Sequence, residues 1–238
     1  MKIAIIGYGK MGKEIEKICL ERAHEISLII DIQNLSDLNQ ENLKKVDVAI
    51  DFTTPATVVK NILACFDAGV PVVAGTTGWN KDLKRISEIC IEKNQALIHS
   101  SNFSIGVNIL FAVNEYMASL MNKFPQYDVS MEEIHHTQKL DAPSGTAISL
   151  ADQIISKLER KSKWQLDIPS GPDTLGIKAV REGDIKGIHE IKYDSEVDYI
   201  TIKHFSKSRK GLALGAVLAA EFIKGKKGIY TMRQLMGL

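Results

Sequence analysis

Residues 2–12 read K-I-A-I-I-G-Y-G-K-M-G, and this stretch decides the fold. A short apolar strand runs straight into Gly7-Tyr8-Gly9-Lys10-Met11-Gly12, a G-x-G-x-x-G step, and a helical pattern continues through Ile15, Ile18 and Cys19. A second strand over residues 26–30 ends in Asp31, nineteen positions after Gly12. Strand, tight turn, helix, strand and acid form the context that a dinucleotide-binding βαβ unit requires. The glycines would let the backbone turn tightly and approach a pyrophosphate resting on the helix N-terminus, with Asp31 accepting from the adenosine ribose hydroxyls. Standing alone, the motif describes only a tight turn; its flanks give it the second meaning. A carboxylate at 31 would repel a 2′-phosphate, and Ile32 and Gln33 bring no positive charge. NADH is therefore favoured over NADPH, although Lys10 and Lys13 could compensate from the glycine loop.

The alternation continues outward. Strands over 46–52, 70–74 and 96–99 interleave with helices over 56–68 and 81–93. Pro55 is placed as the first residue of the earlier helix and Gly69 as its left-handed terminator. Such an alternation implies a parallel sheet with right-handed crossovers, and ligands on such sheets bind at the carboxyl ends of the strands. The glycine loop, Asp31, Asp51-Phe52-Thr53-Thr54, Gly75-Thr76-Thr77-Gly78 and Ser100-Ser101-Asn102-Phe103 all fall at such ends and describe a cleft. From residue 105 the pattern changes. A long helix over 105–121 and a strand over 127–134 lead to a helix opened by Pro143-Ser144. An exposed polar loop over 161–176 then precedes three strands over 177–181, 187–193 and 197–205 and a last helix over 211–225. Strands joined by short turns give an antiparallel or mixed sheet. The fold class is α/β, with an N-terminal Rossmann-type parallel sheet and a C-terminal α+β domain.

Composition narrows the functional classes. The 238 residues are 45% hydrophobic and 25% charged, with a net charge of +1. That balance is ordinary for a globular protein and offers no basic surface for nucleic acid or membrane. No apolar run is long enough to span a bilayer. The opening apolar run is too short for a signal peptide, and Cys19, Cys65 and Cys90 each sit in a helical pattern without a close partner. Buried thiols in a reducing cytoplasm are expected.

Chemistry concentrates in residues 132–147, E-E-I-H-H-T-Q-K-L-D-A-P-S-G-T-A. His135 and His136 are adjacent, so on an extended backbone they point to opposite sides. Lys139 follows, and Asp141 is expected to brace the turn rather than act as a base. Ser144-Gly145-Thr146 start a helix whose N–H groups and hydroxyls would bind a carboxylate or phosphate. An anionic substrate with an acid–base group to hand fits this set. A metal site at the paired histidines finds no third ligand at metal spacing in the sequence, and Lys139 would repel a cation.

The segment H-H-x-x-K-x-D-A-P-S-G-T-A, downstream of D-F-T, G-T-T-G and N-F-S-x-G-V-N, resembles the dihydrodipicolinate reductase family (4-hydroxy-tetrahydrodipicolinate reductases) over nearly the whole chain. The resemblance implies NAD(P)H-dependent reduction of a cyclic dicarboxylate with loss of water, in diaminopimelate and lysine biosynthesis. It implies His135 as general acid/base and Lys139 as proton donor. His136, Lys139, Ser144, Gly145, Thr146 and Thr77 would hold the substrate. Gly7, Tyr8, Gly9, Lys10, Met11, Gly12, Asp31, Phe52, Gly75, Thr76, Thr77, Ser100, Ser101, Asn102 and Phe103 would line the cofactor. It also implies a homotetramer built by the C-terminal sheet, no metal, and two domains: 1–104 with 210–238 for the dinucleotide, and 105–209 for substrate and oligomerisation. The chain departs from the family in Ser130-Met131 before the motif, in Thr54 where some members carry an arginine, and in a shorter stretch around 32–46.

Two other readings compete. An aspartate semialdehyde or homoserine dehydrogenase shares the N-terminal pattern, but the former needs a nucleophilic cysteine in a loop. A non-catalytic NAD sensor would be expected to have lost His135 or Lys139, and both are present.

Overall fold

The computed structural model describes residues 1–238, and the chain divides into two compact units, Met1–Ile105 with Arg209–Leu238, and Gly106–Ser208. The first unit opens with β1 (Lys2–Ile6), covered on both faces. Ile3 and Ile5 pack to one side, Ala4 and Ile6 to the other, so the strand reads as an unbroken apolar run. In chain order follow α1 (Lys10–Glu21), β2 (Glu25–Ile30), α2 (Gln40–Leu43), β3 (Val48–Asp51), α3 (Val58–Asp67), β4 (Val72–Ala74), α4 (Asn80–Glu92) and β5 (Ala96–His99).

The second unit takes up α5 (Ile105–Met121), β6 (Asp128–His135), α6 (Gly145–Lys157), β7 (Lys163–Leu166), β8 (Thr174–Arg181), β9 (Ile188–Asp194) and β10 (Tyr199–Phe205). Its five strands run in the order β10-β9-β6-β8-β7. Pairing is antiparallel from β10 through β6 and parallel from β6 through β7, a mixed sheet. Along β6, Val129, Met131, Glu133 and His135 are buried while the residues between them are not. The buried side carries a core shared by Leu110 and Ala118 of α5 and Leu150, Ala151 and Ile154 of α6.

The chain then returns to the first unit with α7 (Lys210–Ile223), β11 (Gly228–Tyr230) and α8 (Met232–Met236). The six-stranded sheet has the order β11-β5-β4-β3-β1-β2, every pair parallel. The order reverses direction between β1 and β3, and a crevice at such a switch point is where doubly wound sheets bind ligands. No helix is long and apolar enough to cross a membrane.

Two local expectations are corrected, and two short elements are added. Pro55 does not open α3. Thr57 and Val58 both donate their N–H to the Thr54 carbonyl, so Pro55 is the second residue of a turn, a position its fixed φ also suits, and the helix begins three residues later. Gly69 does terminate that helix, at φ +79°. The span 161–176 is not simply an exposed loop, because β7 and the start of β8 lie in it. There K-W-Q-L forms an edge strand with Trp164 packed against the core, and Lys161 is buried with Nζ donating to the carbonyls of Pro172 and Thr174. An edge strand carries enough polar residues to read as loop. Finally β11 and α8 had no periodic signal. β11 is three residues held by pairing with β5, and α8 by a capping box between Thr231 and Gln234.

Candidate active site

In the first unit the carboxyl ends of β1, β2 and β3 surround a cavity of about 280 Å³ lined by Gly7, Tyr8, Gly9, Asp31, Phe52 and Thr53. The glycines differ in what they do. Gly7 sits at φ +92°, and a Cβ there would stand 2.3 Å from the Phe52 carbonyl oxygen. At Gly12 a Cβ would come 2.2 Å from the Gly7 oxygen, so this residue lets α1 close on the turn. A Cβ at Gly9 would meet nothing within 4 Å. Gly9 is also the N-cap of α1 and supplies no side-chain cap, so the first-turn N–H groups are open to an anion. Asp31 directly follows β2, with one carboxylate oxygen accepting from the Ile32 N–H at 2.8 Å. The residues present fit a dinucleotide.

Neighbouring loops are braced rather than free. Asp51, buried at the end of β3, accepts from Thr76 Oγ1 (2.7 Å), Asn61 Nδ2 (2.8 Å) and Thr53 Oγ1 (2.9 Å). Burial pushes its carboxyl up despite these donors. Thr76 is thereby a buried tie between two loops, while Thr77 beside it is exposed. The Phe52 ring lies on Gly75, where a Cβ would fall 2.2 Å from its Cζ. Ser100 Oγ donates to the Asn102 carbonyl at 2.8 Å, and Ser101 is exposed. Phe103, expected at the cofactor, turns its side chain into the core. Its side chain is 1% exposed and belongs to the core with Ala213 and Val217 of α7. Tyr8 donates its hydroxyl to Glu16, Lys10 is exposed and Met11 is half-buried.

In the second unit the strand end separates the paired histidines. His135, the last residue of β6, is buried; His136, just past it, is half-exposed. Lys139 makes a two-oxygen ion pair with Asp141, at 2.7 and 2.8 Å. Burial tends to raise the Asp141 carboxyl, and the Lys139 hydrogen bond and charge bring it below its ordinary value. Ser144 is the N-cap of α6, its Oγ accepting from the Ala147 N–H at 3.2 Å. It is 3% exposed, and its own N–H donates to Glu133 at 3.0 Å. Ser144 thus has a structural role as the cap of α6, with its N–H and its Oγ both engaged by the protein. Gly145, the first residue of the helix, is exposed, and Thr146 is half-exposed.

Sequence reasoning missed two residues here. Glu133 faces the same side as His135 by strand alternation, and antiparallel register sets His189 of β9 directly opposite Glu133. The signal for Glu133 was a carboxylate continuing the buried series Val129, Met131; nothing local marks His189. Glu133, His135 and His189 bring one ligand atom each within 4.8 Å, so a third ligand does exist beside His135, supplied by tertiary pairing. The cluster is nevertheless built as an ion-pair network. Arg181 Nη2 donates to Glu133 Oε1 at 3.0 Å, and a guanidinium on the carboxylate competes with any cation. Burial alone would raise Glu133, but His135, Ser144 and Arg181 hold it down at about 2. The cysteines are all buried, which pushes Cys19 up to about 12 and Cys90 to about 11; a nucleophilic thiol is absent.

Comparison with known proteins agrees across both units. A family model described as "Dihydrodipicolinate reductase, N-terminus" matches residues 1–103, and one described as "Dihydrodipicolinate reductase, C-terminus" matches residues 106–236. A 4-hydroxy-tetrahydrodipicolinate reductase of Christiangramia forsetii is 48% identical over 238 residues, 99% of this chain and 98% of the relative. A protein of the same name from Methanosarcina acetivorans is 37% identical, covering 99% of this chain and 89% of its own. Among solved structures, a dipicolinate-bound dihydrodipicolinate reductase from Paenisporosarcina sp. TG-14 aligns with a TM-score of 0.77 at 26% identity, over 97% of each chain.

Proposed function

This chain belongs to the dihydrodipicolinate reductase family, and from that premise we propose that it reduces 4-hydroxy-tetrahydrodipicolinate to tetrahydrodipicolinate, with loss of water, in diaminopimelate and lysine biosynthesis. A bound nicotinamide cofactor supplies the hydride; the chain's own residues bind, orient and protonate. The observation that carries the reading is that one segment of the second unit holds His135 at a strand end, Lys139 in the following turn and the exposed start of α6 at Gly145. His136, Lys139, Gly145 and Thr146 hold the substrate carboxylates. A full positive charge and a helix N-terminus are strong partners for a dianion in a water-poor site. His135 is the general acid/base, since imidazole chemistry is suited to acid–base work near neutrality, and Lys139 is a second proton donor.

NADH is the preferred donor. Asp31 lines the cavity beside Gly7 and Gly9, and a carboxylate there would accept from a ribose hydroxyl and repel a 2′-phosphate. The test is oxidation of NADH and of NADPH in the presence of freshly condensed pyruvate and aspartate semialdehyde. The wild type is expected to oxidise NADH with the lower KM. Asp31→Ser is expected to raise the NADH KM about tenfold, the scale of one charge-assisted hydrogen bond, and to leave the NADPH KM unchanged or lower. No oxidation with either cofactor refutes the activity; a preference for NADPH that Asp31→Ser leaves alone refutes the role of Asp31.

The active species is a homotetramer, in the cytoplasm. What supports it is β10, an edge strand with Tyr199 and Phe205 exposed in the single chain. Beside it runs a cross-strand charge row in which Lys178 pairs with Glu132 at 2.6 Å and Lys203 with Glu190 at 2.8 Å. Aromatic edges with paired charges suit a self-complementary interface. Light scattering is expected to give about four times the 26.4 kDa of one chain; a monomeric mass overturns this.

A further inference from the structure

Glu133 is a carboxylate with no solvent exposure in the second unit's sheet, and a buried charge persists only where every part of it is answered. One of its oxygens is answered by hydrogen bonds. Oε1 accepts from the Ser144 N–H and from Arg181 Nη2, each at 3.0 Å. Oε2 has no hydrogen-bond donor, and neither has His135 Nδ1 any hydrogen-bond partner; these two atoms face each other at 3.2 Å. His189 Nε2 lies 3.8 Å from the same oxygen. Two otherwise unsatisfied buried atoms in contact are each other's partners, and the proton that satisfies both belongs on Nδ1.

We propose that Glu133 is a positioning residue for the reaction assigned above: it holds the His135 imidazole with its proton on Nδ1, so that Nε2 is the atom that exchanges a proton with substrate. The inference rests on His135 being the acid. The imidazolium releases its Nε2 proton to the substrate as hydride arrives from the cofactor, the neutral ring keeps Nδ1–H toward Glu133, and the carboxylate stays ionised. The ring is reprotonated at Nε2 from water. Around Nε2 the wall is a glycine: a Cβ at Gly187, φ +154°, would approach to 3.1 Å.

The surroundings favour this division. The His189 ring stands nearly perpendicular to that of His135, at 73° and 5.2 Å, and its Nε2 contacts Ser144 Oγ at 3.2 Å. Burial first, and then the His135 charge, push His189 down to about 4, so it is a neutral wall and does not repel an imidazolium. The charged and titratable groups facing the pair are Glu133 on β6, Arg181 on β8, His189 on β9, His204 on β10 and Lys139 in the turn. Among them only Glu133 favours a positive ring. Through the Ser144 N–H it also ties the acid to the cap of α6, so one carboxylate sets both the proton donor and the helix end proposed for the substrate.

The test is the pH–rate profile of Glu133→Gln against wild type. The amide keeps the size and an acceptor for Ser144 but removes the charge. Expected are a 10- to 100-fold lower kcat, an unchanged KM for NADH, and an alkaline limb displaced to lower pH, because the amide no longer sets a negative charge against Nδ1–H. Glu133→Asp retains the charge at a longer distance and is expected to restore the limb most of the way, with a rate between the two. It also serves if the glutamine variant fails to fold. A glutamine variant that binds NADH and melts like wild type but keeps the limb in place overturns the proposal, as does an aspartate variant whose limb moves as far as that of glutamine. An inactive wild type would instead overturn the assigned reaction.

Discussion

Lys139→Ala will lower kcat by about a thousandfold and raise the substrate KM about tenfold, while leaving NADH binding unchanged. The rate term follows from losing a positioned proton donor, worth roughly 10²–10⁴, or about 4 kcal/mol of transition-state stabilisation for a factor of a thousand. The KM term follows from losing a full charge opposite a dianion. NADH binding is spared because the groups proposed to hold the cofactor, the glycine loop and Asp31, are left unchanged. Lys139→Arg separates the two effects. A guanidinium keeps the charge but does not surrender a proton near neutrality, so it is expected to recover KM and not kcat. The resting partner of Lys139 is Asp141, whose carboxylate is exposed, and an ion pair with one member in water contributes little stability. Melting temperature should therefore stay within a degree or two of wild type. Steady-state kinetics with both substrates varied reads all of this; a lysine variant that keeps its kcat would remove Lys139 from the chemistry.

The contrast between Lys139 and Glu133 shows what a sequence exposes. His135, Lys139 and the Ser144 cap were legible because they lie within ten residues of one another and their roles depend on local geometry: a strand end, a turn, a helix start. The glycine loop was legible because its strand and helix flanks are local, although only Gly12 closes on a near neighbour; Gly7 packs against the distant Phe52 carbonyl and Gly9 faces open space. Glu133 was half-legible, since strand alternation puts it on the buried side. His189 and Arg181 were not, because only the register of β9 and β8 against β6 brings them to Glu133 and His135. The same division holds for the fold. β1 and β3, buried on both faces, announce themselves as apolar runs, whereas β7 and β11 exist because a neighbouring strand offers them a ladder. Phe103 carries a second duty the local sequence does not announce: it sits in a segment that lines a cofactor by resemblance, and its side chain packs in the core.

Gly215→Ala will destabilise the first unit, although the same substitution in an exposed helix would stabilise it. Replacing glycine by alanine inside a helix gains roughly 1 kcal/mol from backbone entropy alone. In α7, however, a Cβ on Gly215 would stand 1.7 Å from the Phe103 carbonyl oxygen and 2.7 Å from its carbon. No rotamer relieves a Cβ against a backbone atom, so either the helix or the 100–103 loop must move by more than an ångström. Overpacking of this kind costs about 3 kcal/mol or somewhat more, which outweighs the propensity gain and corresponds to a fall in Tm of roughly 4–10 °C for a chain of this size. The loop that must give way carries Ser100, Ser101 and Asn102, so NADH affinity is expected to fall with stability. Gly9→Ala provides the opposite pairing. There a Cβ meets no protein atom within 4 Å, so Tm should hold, yet the methyl enters the open space in front of α1 and NADH affinity should fall at least tenfold. Thermal melts and NADH fluorescence titrations on the two variants distinguish a glycine kept for packing from one kept for a ligand, and equal melting temperatures would refute the close approach of α7 to Phe103.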